Sequence, residues 1–405
     1  MDTKNVIAAI SLSAAVIILY SLFFAPPPIT KEQLAEKNKT EQNSDAPSLD
    51  QKETVTEITR EEALSQNKRI QFENQSIVGS ISLKGAAIDD LTFKEYNVAL
   101  ESDEKVKLLS PRNTKDGYFI ESGFITTDKN IDIPDSNSVW SVLGNSKLTN
   151  QSPVKLSWTN DQGITFEKQI TLDDNFLFTI NQKVINSTNK NYDFYSYGQI
   201  IRKEIPDISN FYILHEGLIA TLDEELIEED YDDIQEEKFS RTSQKGWLGI
   251  SDKFWITSLI PPSGKEFKTT FDYKDKFRAN FVATDPLELR GNSSIEDKLQ
   301  VIVAAKRVDI IDGYAESLNI DKFDLAIDWG FLYFITKPLF HGIDYFFKLL
   351  GNYGLAIIAI TICIRLAFFP LANFSFRSMA KMKALQPEMV RLKELHKDDK
   401  MKLQQ

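Results

Sequence analysis

The stretch GNYGLAIIAITICIRLAFFPL, residues 351–371, decides how the rest of the chain is organised. At about 1.5 Å per residue it is long enough to cross a hydrocarbon core of roughly 30 Å. Arg365 is the one permanent charge inside it, and an arginine at the centre of such a helix costs about 2.5 to 3.5 kcal/mol on insertion scales. The stretch contains no acidic residue that could pair with it. Arg365 therefore either extends to the nearby membrane surface or lies in a water-filled cavity shared with other helices.

The flanks of this stretch predict its orientation. Residues 372–405 carry eight Lys or Arg and four Asp or Glu, a balance of +4 in a chain whose formal net charge is −12. An excess of basic residues beside a span marks the cytoplasmic side. A second uncharged run, residues 6–25, follows Lys4 and predicts a retained anchor with a cytoplasmic N-terminus, although a cleaved signal peptide shares these features.

Three motifs around the stretch carry a family resemblance: GNYG at its start, Arg365 with the exit Phe369-Pro370-Leu371, and SMAKMKALQPE at residues 378–388. Together they resemble the first core helix and the following cytoplasmic helix of the YidC/Oxa membrane-protein insertases. Tyr353 stands where that family commonly has tryptophan, and Glu388 where a lysine is usual. The resemblance implies a polar groove around Arg365. It also implies further membrane helices after residue 405, so we expect this chain to be the N-terminal portion of an insertase.

The order of segments also matches the Gram-negative type of that family, which has an anchor helix and a large periplasmic β-domain. We expect an N-terminal transmembrane anchor over 1–25, a flexible periplasmic linker over 26–66, and a periplasmic β-sandwich over 67–318. An interfacial amphipathic region follows over 319–350, then the transmembrane helix over 351–371. Residues 372–405 are expected to form a cytoplasmic helix that begins a helical hairpin.

Short runs of alternating apolar and polar residues predict the β-sandwich. They occur at residues 76–83, 163–172, 175–184 and 298–303, without helical periods between them. Many strands at such spacing are typical of a large antiparallel sandwich, the all-β fold class that we predict for this region. Residues 309–318 predict a short helix, and the acidic segment 223–237 predicts a solvated loop or an exposed helix. The one cysteine, Cys363, excludes an intrachain disulfide.

Two amphipathic helices frame the membrane stretch. In WGFLYFITKPLFHGIDYFFKLL, residues 329–350, polar side chains recur on one helical face, which favours a helix lying on the membrane surface over a helix packed on the β-domain. This interfacial face consists of Lys337, His341, Asp344 and Lys348. Beyond residue 371, apolar side chains at helical spacing predict a second amphipathic helix that needs a partner. The contact residues that we expect there are Met379, Met382, Lys383, Leu385 and Met389.

The resemblance implies a membrane-protein insertase and chaperone without enzymatic turnover, with Arg365 in the substrate groove. Its implied partners are nascent inner-membrane proteins, membrane lipids, and the Sec translocon and ribosome. The acidic composition argues against nucleic-acid recognition, and the absence of metal-ligand, nucleotide-binding and nucleophile motifs predicts neither cofactor nor metal. Two alternatives remain: a membrane-anchored sugar-binding or mutarotase-like sandwich, for which His215 is the one available histidine, and an envelope scaffold protein.

Overall fold

Two large β-sheets make up the core of residues 57–327 in the computed structural model, which describes residues 57–206, 215–330 and 332–395. Contacts divide the chain into two units, one ending at Ile327 and one beginning at Asp328. We call the described part of the first unit, residues 57–206 and 215–327, the β-domain.

The first sheet has eleven strands, and its main path runs β14-β17-β18-β11-β5-β3-β2-β1-β7, with β19 paired to β11 and β4 to β3. These strands are β1 Arg69–Glu73, β2 Ile77–Ser82, β3 Ile88–Asn97, β4 Lys105–Leu109, β5 Tyr118–Ile125, β7 Lys147–Leu148, β11 Tyr192–Arg202, β14 Phe239–Ser243, β17 Phe267–Tyr273, β18 Phe277–Ala283 and β19 Leu287–Leu289.

The second sheet has nine strands in the order β13-β12-β15-β16-β20-β10-β9-β8-β6. They are β6 Ser141–Leu143, β8 Val154–Thr159, β9 Ile164–Leu172, β10 Leu177–Asn186, β12 Gly217–Leu222, β13 Glu225–Asp230, β15 Gly246–Ser251, β16 Trp255–Ile260 and β20 Ser294–Ala305. Neighbouring strands are antiparallel, apart from one parallel pairing of β1 with β7 among the described strands. The predicted all-β sandwich is therefore confirmed, and the four alternating runs coincide with β2, β9, β10 and β20.

The core lies between the two sheets, where aromatic rings from each sheet meet. Phe72 of β1 contacts Phe178 of β10 edge-on at 5.2 Å between ring centroids. Phe93 of β3 stacks on Trp255 of β16 at 4.7 Å. Pairs of this kind contribute about 0.5 to 1.5 kcal/mol beyond the burial of their surface. The inward half of each alternating strand thus supplies the contacts that hold the sheets together.

Helical segments flank the strands at the two ends of the β-domain. They are α1 Arg60–Gln66 before β1, and α3 Val308–Ser317 and a 3₁₀ helix Phe323–Ala326 after β20. The sequence predicts a flexible linker through residue 66, whereas Thr59 and Glu62 form a reciprocal cap that starts α1. Arg60 ties α1 to the sheet through an ion pair with Asp90 and a 2.7 Å hydrogen bond to the carbonyl of Leu109. The N-terminal part of the expected linker and the anchor, residues 1–56, lie outside the described residues.

The C-terminal end of the β-domain extends past the predicted boundary at residue 318. Ile320, Phe323 and Ala326 are buried, and the Phe323 ring meets the Trp247 ring edge-on at 5.1 Å. Through this apolar contact, residues 319–327 pack as part of the β-domain, although we expected them to belong to the interfacial region. The helix predicted at 309–318 is confirmed as α3.

The acidic segment 223–237 differs from its prediction. It forms the edge strand β13 and the short helix α2 Tyr231–Glu236, whose Tyr231 and Ile234 are buried. Asp223 and Glu224 make the two-residue turn between β12 and β13, and both have positive φ, 50° and 70°. Such turns usually contain glycine, which marks them in a sequence. This turn contains none, so the sequence did not reveal the hairpin.

Two helices make up the described part of the second unit. They are α4 Tyr333–Leu350 and α5 Tyr353–Leu395. The sequence predicts separate membrane and cytoplasmic helices, whereas α5 is one helix that contains both Pro370 and Pro387. Its 43 residues correspond to about 65 Å of helix, which is roughly twice the thickness of a hydrocarbon core.

Candidate functional site

A tight turn joins α4 to α5 and makes them a helical hairpin. Gly351 adopts a left-handed conformation, with φ 66°, and its N–H donates to the carbonyl of Phe347 at 2.8 Å. The Asn352 side chain then accepts a hydrogen bond from the N–H of Leu355 at 3.1 Å and caps the start of α5. Phe347 and Tyr353 stack across the turn at 4.2 Å. The motif GNYG is therefore the signal that ends one helix and begins the next.

A glycine in α4 allows the two helices to approach each other closely. A Cβ added at Gly342 would lie 2.9 Å from Cδ1 of Ile360. Ala356, one turn before Ile360, is buried. Small residues at such crossings permit backbone contact that is too close for larger side chains.

Most of the apolar surface of α5 is exposed. In the described part of the chain, α5 is the one helix long and apolar enough to cross a membrane. Leaving a leucine, isoleucine or phenylalanine in water costs about 1.5 to 3 kcal/mol, so this surface requires lipid or other helices as its surroundings. The exposed apolar residues in this part of α5 are Leu355, Ile357, Ile358, Ile362, Ile364, Leu366, Phe368, Phe369 and Leu371.

Arg365 lies within this exposed apolar surface. It is twelve residues after Tyr353, about 18 Å along the helix axis. None of the described residues forms an ion pair or a hydrogen bond with its guanidinium. The assignment of Arg365 to a substrate groove remains a prediction, because the helices that would complete such a groove are not among the described residues.

The polar face predicted on α4 contains one clear ion pair. The Nζ of Lys348 lies 2.7 Å from Oδ2 of Asp344, one helical turn away. The Nζ of Lys337 lies 5.8 Å from the centre of the Trp329 ring, and His341 is exposed. No residue of α4 is buried. Its place on a membrane surface stays a prediction.

The expected contact residues on the cytoplasmic side are all on α5. Met379, Met382, Leu385 and Met389 are exposed apolar side chains, and Lys383 is exposed beside them. Methionine side chains adapt to partners of different shape. The row is therefore available for a partner, and the identity of that partner remains a prediction.

The β-domain contains a cavity that the sequence analysis did not predict. Lys168 of β9 lines it with only 3% of its surface exposed. Its Nζ donates to the carbonyl of Ser122 at 2.6 Å and lies 5.1 Å from the centre of the Trp140 ring. Burial lowers the pKa of Lys168 to about 7. The signal was present in the sequence, because Lys168 occupies an inward position in the alternating strand 164–172.

His215, the residue on which a mutarotase-like site would depend, lies elsewhere in the β-domain. Its Nδ1 is 3.3 Å from Oδ1 of Asp230, and its Nε2 is 3.1 Å from the carbonyl of Leu218. These contacts place it at the edge strand β13. No histidine is among the described residues that line the cavity.

An exposed apolar helix joined in sequence to a large β-sandwich defines a class, the membrane-anchored proteins with one large globular domain. Two family models refine this class: the YidC periplasmic domain matches residues 69–341, and the 60Kd inner membrane protein family matches residues 345–405. The chain belongs to the YidC family of membrane protein insertases, and the predicted resemblance is confirmed. Proteins of this family are inner-membrane insertases that work without enzymatic turnover.

Individual relatives agree with this assignment. The chain is 73% identical to the membrane protein insertase YidC of Pelagibacter ubique, covering 100% of this chain and 73% of that protein. It is 39% identical to that of Rickettsia prowazekii, covering 99% and 73%. Among solved structures, a galactose mutarotase related enzyme from Lactobacillus acidophilus aligns with a TM-score of 0.44 and 11% identity, over 59% of this chain and 98% of that one. The last likeness does not extend to function.

Proposed function

We propose that this inner-membrane insertase receives its substrates along the face of α5 that carries Arg365. Two observations support the proposal: the apolar surface around Arg365 is exposed, and no described residue pairs with the guanidinium. A charge fixed in hydrocarbon costs several kcal/mol, and a hydrated groove formed with further helices removes most of that cost. Arg365 then attracts acidic or polar parts of a nascent inner-membrane protein.

The expected mechanism divides the substrate between two environments. Polar groups cost about 2 to 7 kcal/mol each when moved from water into an apolar medium without hydrogen bonds. In the proposed groove they stay hydrated beside Arg365, while the apolar segment of the substrate moves along Leu366 and Phe369 into the lipid. No bond is made or broken in this process, which agrees with a family that works without turnover.

The single cysteine of the chain provides a direct test of the groove. Cys363 lies two residues before Arg365, about 200° around the helix, and therefore points away from the proposed groove. In membrane vesicles, a membrane-impermeant maleimide should leave Cys363 of the parent chain unlabelled. It should label Arg365→Cys in a Cys363→Ala background. Equal protection of both positions would mean that position 365 faces lipid, and the groove proposal would be wrong.

Our proposed topology is multi-pass, with the β-domain in the periplasm and the chain after Arg377 in the cytoplasm. The basic residues after the span and Lys4 before the first apolar run support it. Alkaline phosphatase folds only outside the cytoplasm, so a fusion after Gln66 should be active and a fusion after Lys383 inactive. An inactive fusion after Gln66 would contradict the topology.

The cytoplasmic part of α5 is our candidate contact for the ribosome and the Sec translocon, two partners that the family resemblance implies. Its exposed row of Met379, Met382, Leu385 and Met389 supports an adaptable contact of this kind. A photoreactive residue at Met382 should crosslink to ribosomal proteins or to subunits of the Sec translocon. The same residue at the exposed Phe254 of the β-domain is the control and should not. Crosslinking that is equal at both positions would remove this contact from the proposal.

A further inference from the structure

A cavity of about 890 Å³ opens inside the β-domain. One part of its wall is apolar, with Phe124, Ile133 and Phe166 among the lining residues. Lys168 and Gln182 add polar groups from the two adjacent strands β9 and β10, where they are direct partners in the register. Cavities of this size with a few convergent polar groups are typical of sites for small organic molecules.

The ammonium group of Lys168 is buried without a carboxylate partner in the part of the chain that the structure describes. Burial lowers its pKa, and none of the described carboxylates forms an ion pair with it. The ammonium group donates a hydrogen bond to the neutral carbonyl of Ser122 and makes a cation–π contact with the Trp140 ring. An ammonium group has three N–H donors, and among the described residues only the Ser122 carbonyl accepts from this one.

The acidic residues around the cavity are engaged elsewhere. Glu121 pairs with Arg112 and accepts from Gln199 at 2.7 Å. Glu167 lies 2.9 Å from Lys155. Asp135 caps its own loop by accepting from the N–H of Ser138 at 2.8 Å. The fourth acid, Asp275, lies in the turn between β17 and β18 and forms no ion pair with Lys168.

Two further polar atoms at this site have no hydrogen-bond partner among the described residues. They are the Nε1 of Trp140 and the Oε1 of Gln182, and both side chains are at least nine-tenths buried. Leaving a buried polar atom without a partner destabilises the folded protein. Their position beside Lys168 indicates a site whose polar groups are arranged for a molecule other than the protein itself.

We propose that this cavity binds a small organic carboxylate with an apolar body, whose carboxylate group pairs with Lys168 while its body contacts Phe124 and Phe166. The carboxylate matches the single charge of the Lys168 ammonium. Of the other basic residues that line the cavity, Arg112 pairs with Glu121, Arg278 pairs with Asp272, and Lys274 and Lys276 lie in the turn between β17 and β18. A neutral ligand fits less well, since it leaves the buried ammonium without a counter-charge. This site is independent of the insertase mechanism proposed for α5.

Binding of a carboxylate should be coupled to a proton. Because the pKa of Lys168 is about 7, a large part of the protein holds the neutral amine under mildly alkaline conditions. A bound carboxylate favours the ammonium form and therefore raises this pKa. The protein should take up a proton from the buffer as the ligand binds, and affinity should fall as the pH rises above neutrality.

Calorimetric titration of the full 405-residue chain in detergent tests the proposal. The probe is cyclohexanecarboxylate, and its matched neutral control is cyclohexanecarboxamide, which has the same shape. We expect the acid to bind about tenfold or more tightly than the amide, as is typical of charge-assisted hydrogen bonds. We also expect Lys168→Met to lose this preference. Lys183→Met should keep it, because Lys183 is on the neighbouring strand and pairs with Glu296 outside the cavity.

The binding heat of the parent chain provides a second measurement that needs no variant. It should differ between phosphate and Tris buffers under mildly alkaline conditions, because the two buffers release a proton with different heats. Equal binding of acid and amide, binding unaffected by Lys168→Met, or binding heat independent of the buffer would each overturn the proposal. Absence of binding at millimolar probe would do the same. If Lys168→Met fails to fold, the buffer dependence of the parent decides.

Discussion

Gly342 of α4 lies directly against Ile360 of α5, at a distance where a single added carbon at position 342 would come within 2.9 Å of the isoleucine Cδ1. The contact explains how two helices with almost entirely exposed surfaces remain side by side. An added carbon at position 342 would displace the flexible end of the Ile360 side chain, so a small residue there favours close packing of α4 on α5.

Gly342→Leu should therefore weaken the hairpin. Leucine cannot be placed at position 342 without moving Ile360 or separating the helices, and we expect the detergent-purified protein to aggregate at a lower temperature. Gly313→Leu is the matched control, because position 313 is also in a helix and has open space around it. If both variants aggregate at the same temperature as the parent, the contact between Gly342 and Ile360 does not stabilise the hairpin.

A buried ion pair should make a large contribution to the β-domain. Arg202 Nη1 lies 2.6 Å from Asp252 Oδ1, and the two side chains are 12% and 10% exposed. Asp252→Asn leaves a buried guanidinium without its counter-charge, which typically costs about 3 to 5 kcal/mol. Urea unfolding of a fragment spanning residues 57–327, which contains no cysteine, would measure this loss.

The control for this prediction is an exposed pair in the same fragment. Arg290 and Glu288 are 3.9 Å apart and 77% and 72% exposed. Surface pairs of this kind contribute little, so Glu288→Gln should change the free energy of unfolding by less than about 0.5 kcal/mol. A similar loss in both variants would contradict the assignment of a structural role to Arg202 and Asp252.

Lys168 should make the stability of the same fragment depend on pH. Burial lowers its pKa from 10.5 to about 7, so the unfolded chain holds this proton over a range in which the folded chain has released it. Stability therefore increases as the pH rises from 7 towards 10.5, by up to about 1.4 kcal/mol per pH unit from this group. At and below pH 7 the folded state carries the cost of the buried charge.

Lys168→Met removes both the charge and its titration. We expect the variant to be more stable than the parent at pH 7, and this advantage to shrink as the pH rises towards 9. Urea unfolding of parent and variant across this range measures the difference directly, so other titrating groups cancel. A difference that does not change with pH would show that Lys168 keeps an ordinary pKa.

Local patterns in the sequence were sufficient to predict the sandwich. The inward residues Ile164, Phe166 and Ile170 of β9 are buried as their alternation predicts, because the side-chain period of a strand does not depend on distant partners. The start of the membrane helix at GNYG was also predicted, and Gly351 and Asn352 set it through contacts with their immediate neighbours.

The features that the sequence analysis missed depend on contacts between distant segments. Ser122 lies 46 residues from Lys168, and only the finished fold brings its carbonyl to the ammonium group. Phe323 joins the β-domain because it meets Trp247, far earlier in the chain. The hairpin at Asp223 and Glu224 uses left-handed backbone without glycine, so its turn residues gave no local signal. The groove proposed around Arg365 would likewise depend on contacts that the sequence of α5 alone does not show.

The most direct test of the account is the response of membrane insertion to the charge at position 365. A strain depleted of its own insertase would be complemented with the parent or with Arg365→Lys, Arg365→Ala or Arg365→Glu, each carried in the same longer chain. Insertion would be scored for a small substrate with an acidic translocated tail and for the same substrate with a neutral tail. We predict that Arg365→Lys largely preserves insertion, whereas Arg365→Ala and above all Arg365→Glu impair the acidic-tailed substrate more than the neutral one. Equal insertion of both substrates by Arg365→Glu and by the parent would contradict the proposal that Arg365 receives the polar part of the substrate.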